Sequence, residues 1–157
     1  MRPKPKNITF HYTNEQMVKD LLAITPIEGS VLDAGSGAKV WFKNLRGKKY
    51  ECELDRGQDF YKWDRVVDWV VGNPPFNESW KFTEKAITIA QRGIAWLVNN
   101  QALNSHFTPR RLQLMSDKGF TLKSIKVVAD RRWFGRYYYL IFTKENNNFI
   151  SWKRETY

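Results

Sequence analysis

An apolar run, Val70-Val71-Gly72, leads directly into Asn73-Pro74-Pro75-Phe76. Each proline disfavours the helical region for the residue before it, so Asn73 and Pro74 are held extended. Both prolines have a fixed φ and no N–H, which leaves a stiff loop whose carbonyls are free to face a substrate. The loop offers the Asn73 side-chain oxygen and the Pro74 carbonyl as a pair of acceptors. An exocyclic amine carries two N–H donors, and this pairing holds its lone pair toward a methyl donor. Phe76 supplies an apolar face on which a planar base can stack. A rigid turn after a strand would also explain the prolines, but Asn-Pro-Pro-Phe is an unusual way to build one.

Three weaker segments precede it. In Val31-Leu32-Asp33-Ala34-Gly35-Ser36-Gly37, glycines between a strand and a helix let the backbone approach a ligand above the strand ends. A dinucleotide fingerprint wants a third glycine where Val40 stands, which weakens a dehydrogenase reading. An acidic residue leading into the glycines suits a cationic ligand, so Asp33 is placed to hold an amino group, directly or through water. Glu53-Leu54-Asp55 follows, and strand alternation over Tyr50 to Leu54 puts Glu53 and Asp55 on one side. A carboxylate there can accept from both hydroxyls of a ribose. Asp59-Phe60 comes next: an aspartate accepts from an adenine amino group while a neighbouring N–H donates to the ring. Each of these alone reads equally well as a turn or a solvated carboxylate.

The elements that must carry them are legible in the patterning. Thr13 and Gln16 form a capping box for a helix with Met17, Val18, Leu21 and Leu22 on its apolar face, ended by Pro26 and Gly29. Strands are expected at Ser30 to Asp33, Tyr50 to Leu54, Val66 to Val71 and Ile94 to Val98. Helices are expected from Val40 to Gly47, from Glu78 to Gln91 and from Pro109 to Lys118. Two closing strands, Leu122 to Val128 and Tyr137 to Thr143, read as an antiparallel hairpin. Alternating strands and helices give an α/β sandwich around a mostly parallel sheet. Residues 1–157 are read as one domain, with 1–12 a basic arm and 144–157 a short tail.

The composition narrows the partners. The chain of 157 residues is 42% hydrophobic and 15% aromatic, too apolar for disorder. It shows neither a membrane-length apolar run nor a signal-peptide core, and its single cysteine, Cys52, suits a reducing cytoplasm. Cys52 with His11 and His106 argues against a structural zinc site, so no metal is expected. The net charge is +10, and residues 101–157 hold eleven basic against four acidic side chains. That basic third points to a polyanion such as DNA or RNA, and the surplus of rings offers stacking platforms for bases.

Taken in order, Asp33-Ala34-Gly35-Ser36-Gly37, Glu53-Leu54-Asp55, Asp59-Phe60 and Asn73-Pro74-Pro75-Phe76 resemble the class I S-adenosylmethionine-dependent methyltransferases of the N6-adenine family. The resemblance spans roughly residues 10–143 and implies a Rossmann-like fold with S-adenosylmethionine as cofactor. It implies that Asp33, Ala34, Gly35 and Gly37 bind the methionine end, and that Phe10 to Thr13 closes over it. Glu53 binds the ribose, with Asp55 as the competing candidate; Asp59 binds the adenine amino group and Phe60 flanks it. Asn73, Pro74, Pro75 and Phe76 form the catalytic loop. A late aromatic, Trp133 or Phe134, packs on the target base, while Arg131, Arg132 and Arg136 suit phosphates. The target base is unpaired or flipped into the pocket, and loss of Asn73 is expected to damage turnover far more than cofactor binding.

The family's DNA-modifying members usually carry a separate recognition domain, for which this chain leaves no room. Target reading then falls to loops, to a partner subunit or second copy, or to the shape of a structured RNA, with DNA favoured over RNA. Two other readings stay open. Protein glutamine methyltransferases use a similar loop, because a side-chain amide also offers an NH₂ group. A catalytically silent nucleic-acid-binding subunit would keep the fold, though it need not keep Asp33 or the Asn-Pro-Pro-Phe loop.

Overall fold

The computed structural model of the chain describes residues 13–128 and 136–145. Phe10, Arg131, Arg132, Trp133 and Phe134, all expected at the site, lie outside the described residues.

Helix α1 runs from Glu15 to Ile24 and buries Val18 and Leu21. Its cap is Asn14 rather than Thr13: the Asn14 side chain accepts from the Gln16 and Met17 N–H groups at 2.9 and 3.3 Å. The Gln16 amide donates forward to Asp20 at 2.8 Å instead of reaching back, so no capping box forms. The chain then enters β1, Val31–Ala34, all four residues of which are buried. A strand covered on both faces has no solvent side, and so reads as a continuous apolar run. Helix α2 (Val40–Asn44) and strand β2 (Lys49–Cys52) follow. Two 3-10 turns, Leu54–Arg56 and Phe60–Lys62, lead into β3, Val67–Gly72. Next come α3 (Ser79–Ile89), β4 (Ala90–Asn99), α4 (Asn100–His106) and α5 (Pro109–Asp117). Strands β5 (Thr121–Val128) and β6 (Tyr137–Thr143) close the described chain.

The six strands lie in the order β2-β1-β3-β4-β6-β5. Pairing is parallel from β2 through β4, and β6 alone is antiparallel to both its neighbours. The expected mostly parallel sheet with an antiparallel terminal hairpin is therefore the observed one. Because side chains alternate along a strand, each strand feeds two cores. Leu32, Val70, Ile94, Trp96 and Phe142 meet Phe82 and Ala86 of α3 and Met115 of α5. Val31, Val71, Leu97 and Tyr139 meet Val18 and Leu21 of α1 and Trp41 of α2 on the opposite face. Among the described residues, no helix is long and apolar enough to cross a membrane.

Three boundaries differ from the sequence reading. Strand β2 stops at Cys52, because the chain turns into the 3-10 helix at Leu54. Helix α3 passes straight into β4 at Ala90, whose backbone is already extended; Ala90 is buried in either conformation, so the helical pattern overran. Helix α4 was not foreseen, although Asn99 caps it by accepting from the Ala102 N–H at 2.9 Å.

Candidate active site

Strand β1 pairs in parallel with β2 on one side and β3 on the other. The connection from β1 runs to β2 on one side and that from β3 to β4 on the other, so a crevice opens between the carboxyl ends of β1 and β3, where ligands bind in open α/β sheets. Asp33 to Gly37 sits at that end, and Asn73 follows Gly72 at the end of β3. Tyr137, the first residue of β6, pairs with Asn99, the last of β4, and so brings the exposed Arg136 to the same edge.

Gly35 and Gly37 have φ values of 70° and 50°, a left-handed backbone that side chains resist. The Gly35 and Ser36 N–H groups both donate to the Cys52 carbonyl at 3.0 Å, which ties the turn to the end of β2. A Cβ on Gly72 would stand 2.7 Å from the Ala34 carbonyl and 3.5 Å from Asp33 Oδ1. Only a glycine lets β3 pass this close to β1, immediately before Asn73.

Asp33 is fully buried. Its Oδ2 accepts from the Phe42 N–H at 3.0 Å, serving the start of α2, which has no side-chain cap of its own. Its Oδ1 has no hydrogen-bond partner. Burial, with the Glu51 and Glu53 charges adding to it against the Phe42 N–H, pushes the carboxyl up to about 7. Asn73 repeats the pattern: Nδ2 donates to Thr13 Oγ1 at 3.4 Å, while Oδ1 is buried and unpartnered. A buried acceptor without a donor is costly, so donors from a ligand would be favoured at this crevice, although Thr25, Trp41, Tyr139 and Thr143 also hold unpartnered buried polar atoms. The Asn73 contact also brings Thr13 to the Asn-Pro-Pro-Phe loop.

The loop's other members divide. Pro74 is buried, Pro75 exposed, and Phe76 half-buried with its ring 6.0 Å from that of Tyr137. Ala34 lies at 0% exposure in the β1 core.

The acidic strand end is arranged differently from the expectation. Glu53 and Asp55 do not share a strand face, because Leu54–Arg56 is a 3-10 turn that Glu53 caps. Glu53 Oε2 accepts from the Gly37 N–H at 2.6 Å, whereas Asp55 is exposed. The pair that faces the glycine turn by alternation is Glu51 and Glu53. Glu51 binds Lys39 and Arg56 at 2.6 Å each and accepts from the Ser36 hydroxyl at 2.6 Å. Burial raises the Glu51 carboxyl, but Lys39, Ser36 and Arg56 outweigh it and hold it below the usual range. Arg56 also donates to the Gly37 carbonyl at 2.9 Å. Glu51, Arg56 and Lys39 were missed from sequence; the Glu-x-Glu alternation ending β2 was the available signal.

Asp59 is half-buried and accepts from the Tyr61 N–H at 3.0 Å, capping its 3-10 turn. Phe60 belongs to the core, 4% exposed and 4.8 Å ring-to-ring from Phe82. The exposed ring here is Tyr61, 5.5 Å from Phe82. Phe82 in turn underlies Gly35, whose Cβ would touch its ring at 3.5 Å. An aromatic wall thus stands beside the glycine turn, and Phe82 was not foreseen as part of it.

No protein-family model and no curated protein matches the sequence. Solved structures do match. Magnesium protoporphyrin IX methyltransferase of Synechocystis PCC 6803, with bound S-adenosylmethionine, superposes with TM-score 0.59 at 16% identity over 83% of this chain and 79% of its own. Trm5b of Pyrococcus abyssi gives 0.64 at 13% identity over 85% of this chain and 50% of its own. The E. cuniculi Mtq2–Trm112 complex, responsible for methylation of the translation termination factor eRF1, gives 0.55 at 19% identity over 85% and 96%. These proteins share an architecture with this chain, which has the Rossmann-like fold of the class I methyltransferases.

Proposed function

We propose that the chain transfers a methyl group from S-adenosylmethionine to the N6 amino group of adenine in a nucleic acid, DNA ahead of RNA. The observation that carries the reading is the buried, unpartnered Asn73 Oδ1 on the Asn-Pro-Pro-Phe loop, at the end of the strand adjacent to β1, where Asp33 Oδ1 is also unpartnered.

The residues fit the cofactor. Asp33 Oδ1 is an acceptor for the ammonium of its amino-acid end, and the left-handed Gly35 and Gly37 leave room for it. Glu53, held beside Gly37, suits the ribose better than the exposed Asp55. Asp59 and the aromatic wall of Phe60, Tyr61 and Phe82 suit the adenine. When bound, S-adenosylmethionine supplies an electrophilic methyl group on a sulfonium. Asn73 Oδ1 and the Pro74 carbonyl accept the two N–H groups of the target amine and fix its direction. Orientation of this kind accounts for roughly 7–11 kcal/mol of a barrier, so no strong general base is required. Phe76 holds the base by its face, and Thr13 steadies the Asn73 amide.

The test is methyl transfer from labelled S-adenosylmethionine to duplex DNA, single-stranded DNA and structured RNA in parallel, with nucleoside analysis of the product. N6-methyladenine in any of the three supports the reading and identifies the substrate. Asn73→Ala is expected to lower turnover on the order of 100-fold, the scale of a lost transition-state hydrogen bond, with cofactor affinity little changed. Cofactor binding without incorporation in all three refutes the nucleic-acid enzyme and favours an amide substrate on a protein.

A further inference from the structure

The catalytic loop runs out at Asn77 into an open groove of about 1090 Å³ between α3 and α5. Trp80, Lys81, Arg110 and Arg111 line it. The half-buried indole of Trp80 carries the Arg111 guanidinium at 4.9 Å from its ring centre, and Arg111 is anchored from behind on the Ser105 carbonyl. Lys81 and Arg110 are exposed and form no ion pair among the described residues. Two acids share the groove, Glu84 and Asp117, and Asp117 is engaged by the Gln113 amide at 2.8 Å. The first turn of α5 holds no acid, and Thr108 caps it by accepting from the Arg111 N–H.

We propose that this groove binds the phosphodiester backbone of a single nucleic-acid strand leading away from the target adenine. The inference rests on the function proposed above and extends it, since Asn77, which lines the groove, directly follows the base-holding loop in the chain. Two free cations and a guanidinium held on an indole along an open groove are what a phosphodiester strand needs and what a compact protein side chain does not. The sequence reading placed phosphate contacts on Arg131, Arg132 and Arg136; none of these lines the groove as described.

The experiment measures binding of labelled 12-nucleotide single strands, one DNA and one RNA, by fluorescence anisotropy at two salt concentrations. It compares the unaltered protein with K81Q/R110Q, in which two exposed residues outside the crevice lose their charge. Each phosphate contact to a single strand contributes about 0.7 to the salt exponent, so losing two weakens binding about 25-fold at 0.1 M salt and flattens the slope by about 1.4. Calorimetric binding of S-adenosylmethionine is expected to be the same in both proteins. That result with either strand supports the groove. Equal strand affinity in the two proteins overturns the groove and leaves the proposed reaction standing. An unaltered protein that binds cofactor but neither strand overturns both.

Discussion

Asp33 makes the sharpest test, because one buried carboxyl couples folding, pH and ligand. Below pH 3.8 it is neutral in folded and unfolded chains alike. As pH rises, the unfolded chain ionises at the ordinary 3.8 while the folded carboxyl resists until about 7. Folding therefore loses stability steadily across that window and reaches a plateau above it. The gap corresponds to about 4 kcal/mol, of which about 2 to 3 kcal/mol falls between pH 5 and 7. Asp33→Asn keeps the shape and cannot ionise. Urea unfolding of both proteins from pH 4 to 8 should give stability curves that diverge by this amount, with the wild type falling as pH rises. A cationic ligand reverses the sign, since the ammonium is met by the ionised carboxylate. Affinity for S-adenosylmethionine should then weaken about tenfold for each pH unit below 7, with a proton released on binding. Asp33→Asn should remove that pH dependence and weaken binding about 10- to 150-fold, the range of one charged hydrogen bond. Parallel stability curves, or a cofactor affinity flat from pH 5 to 7, would refute the desolvated carboxyl and its role.

Three further outcomes follow from packing. The His106 ring is buried, with Nδ1 and Nε2 each 2.7 Å from a partner, Ala102 O and Thr83 Oγ1, and burial pulls it down to about 4. The unfolded chain protonates near 6.5 while the folded ring does not, so folding loses about 3 kcal/mol as pH falls from 6.5 to 4; an NMR titration midpoint above 6 would exclude it. Gly72→Ala drives a Cβ to 2.7 Å from the Ala34 carbonyl and should abolish cofactor binding while lowering stability by about 1–3 kcal/mol. Unchanged calorimetric affinity would show that β3 need not approach β1 so closely. Gly93→Ala meets the Trp69 indole at 2.3 Å and should cost about 1–3 kcal/mol in chemical denaturation, recovered in part by Trp69→Leu; no rescue would mean that the clash is relieved elsewhere.

Much of this protein was legible before any fold was known. Short apolar runs identified β1, β3, β5 and β6, and the terminal hairpin followed from the closeness of the last two in sequence. The Asn-Pro-Pro-Phe loop was readable because proline geometry is local: no distant residue is needed to stiffen it. Asp33 and the two turn glycines were found for the same reason, since a strand-to-helix turn writes its demands into adjacent positions. Elements were misjudged where two conformations bury the same residue, as at Ala90, or where a short polar helix has no apolar run to announce it, as at Asn100–His106.

The tertiary structure decided everything that depends on two strands meeting. Glu51 rather than Asp55 partners Glu53 beside the glycine turn, because β2 ends at Cys52 and the next residues coil. Phe60 turned inward and Tyr61 outward, an outcome set by Phe82 of α3, a helix that begins some twenty residues later. Above all, the unpartnered oxygens of Asp33 and Asn73 belong to the ends of two adjacent parallel strands, and Gly72 lets those strands close without a clash at the Ala34 carbonyl. Local conformational limits are written in the sequence residue by residue, whereas desolvation and missing partners belong to the space between elements and exist only once the chain has packed.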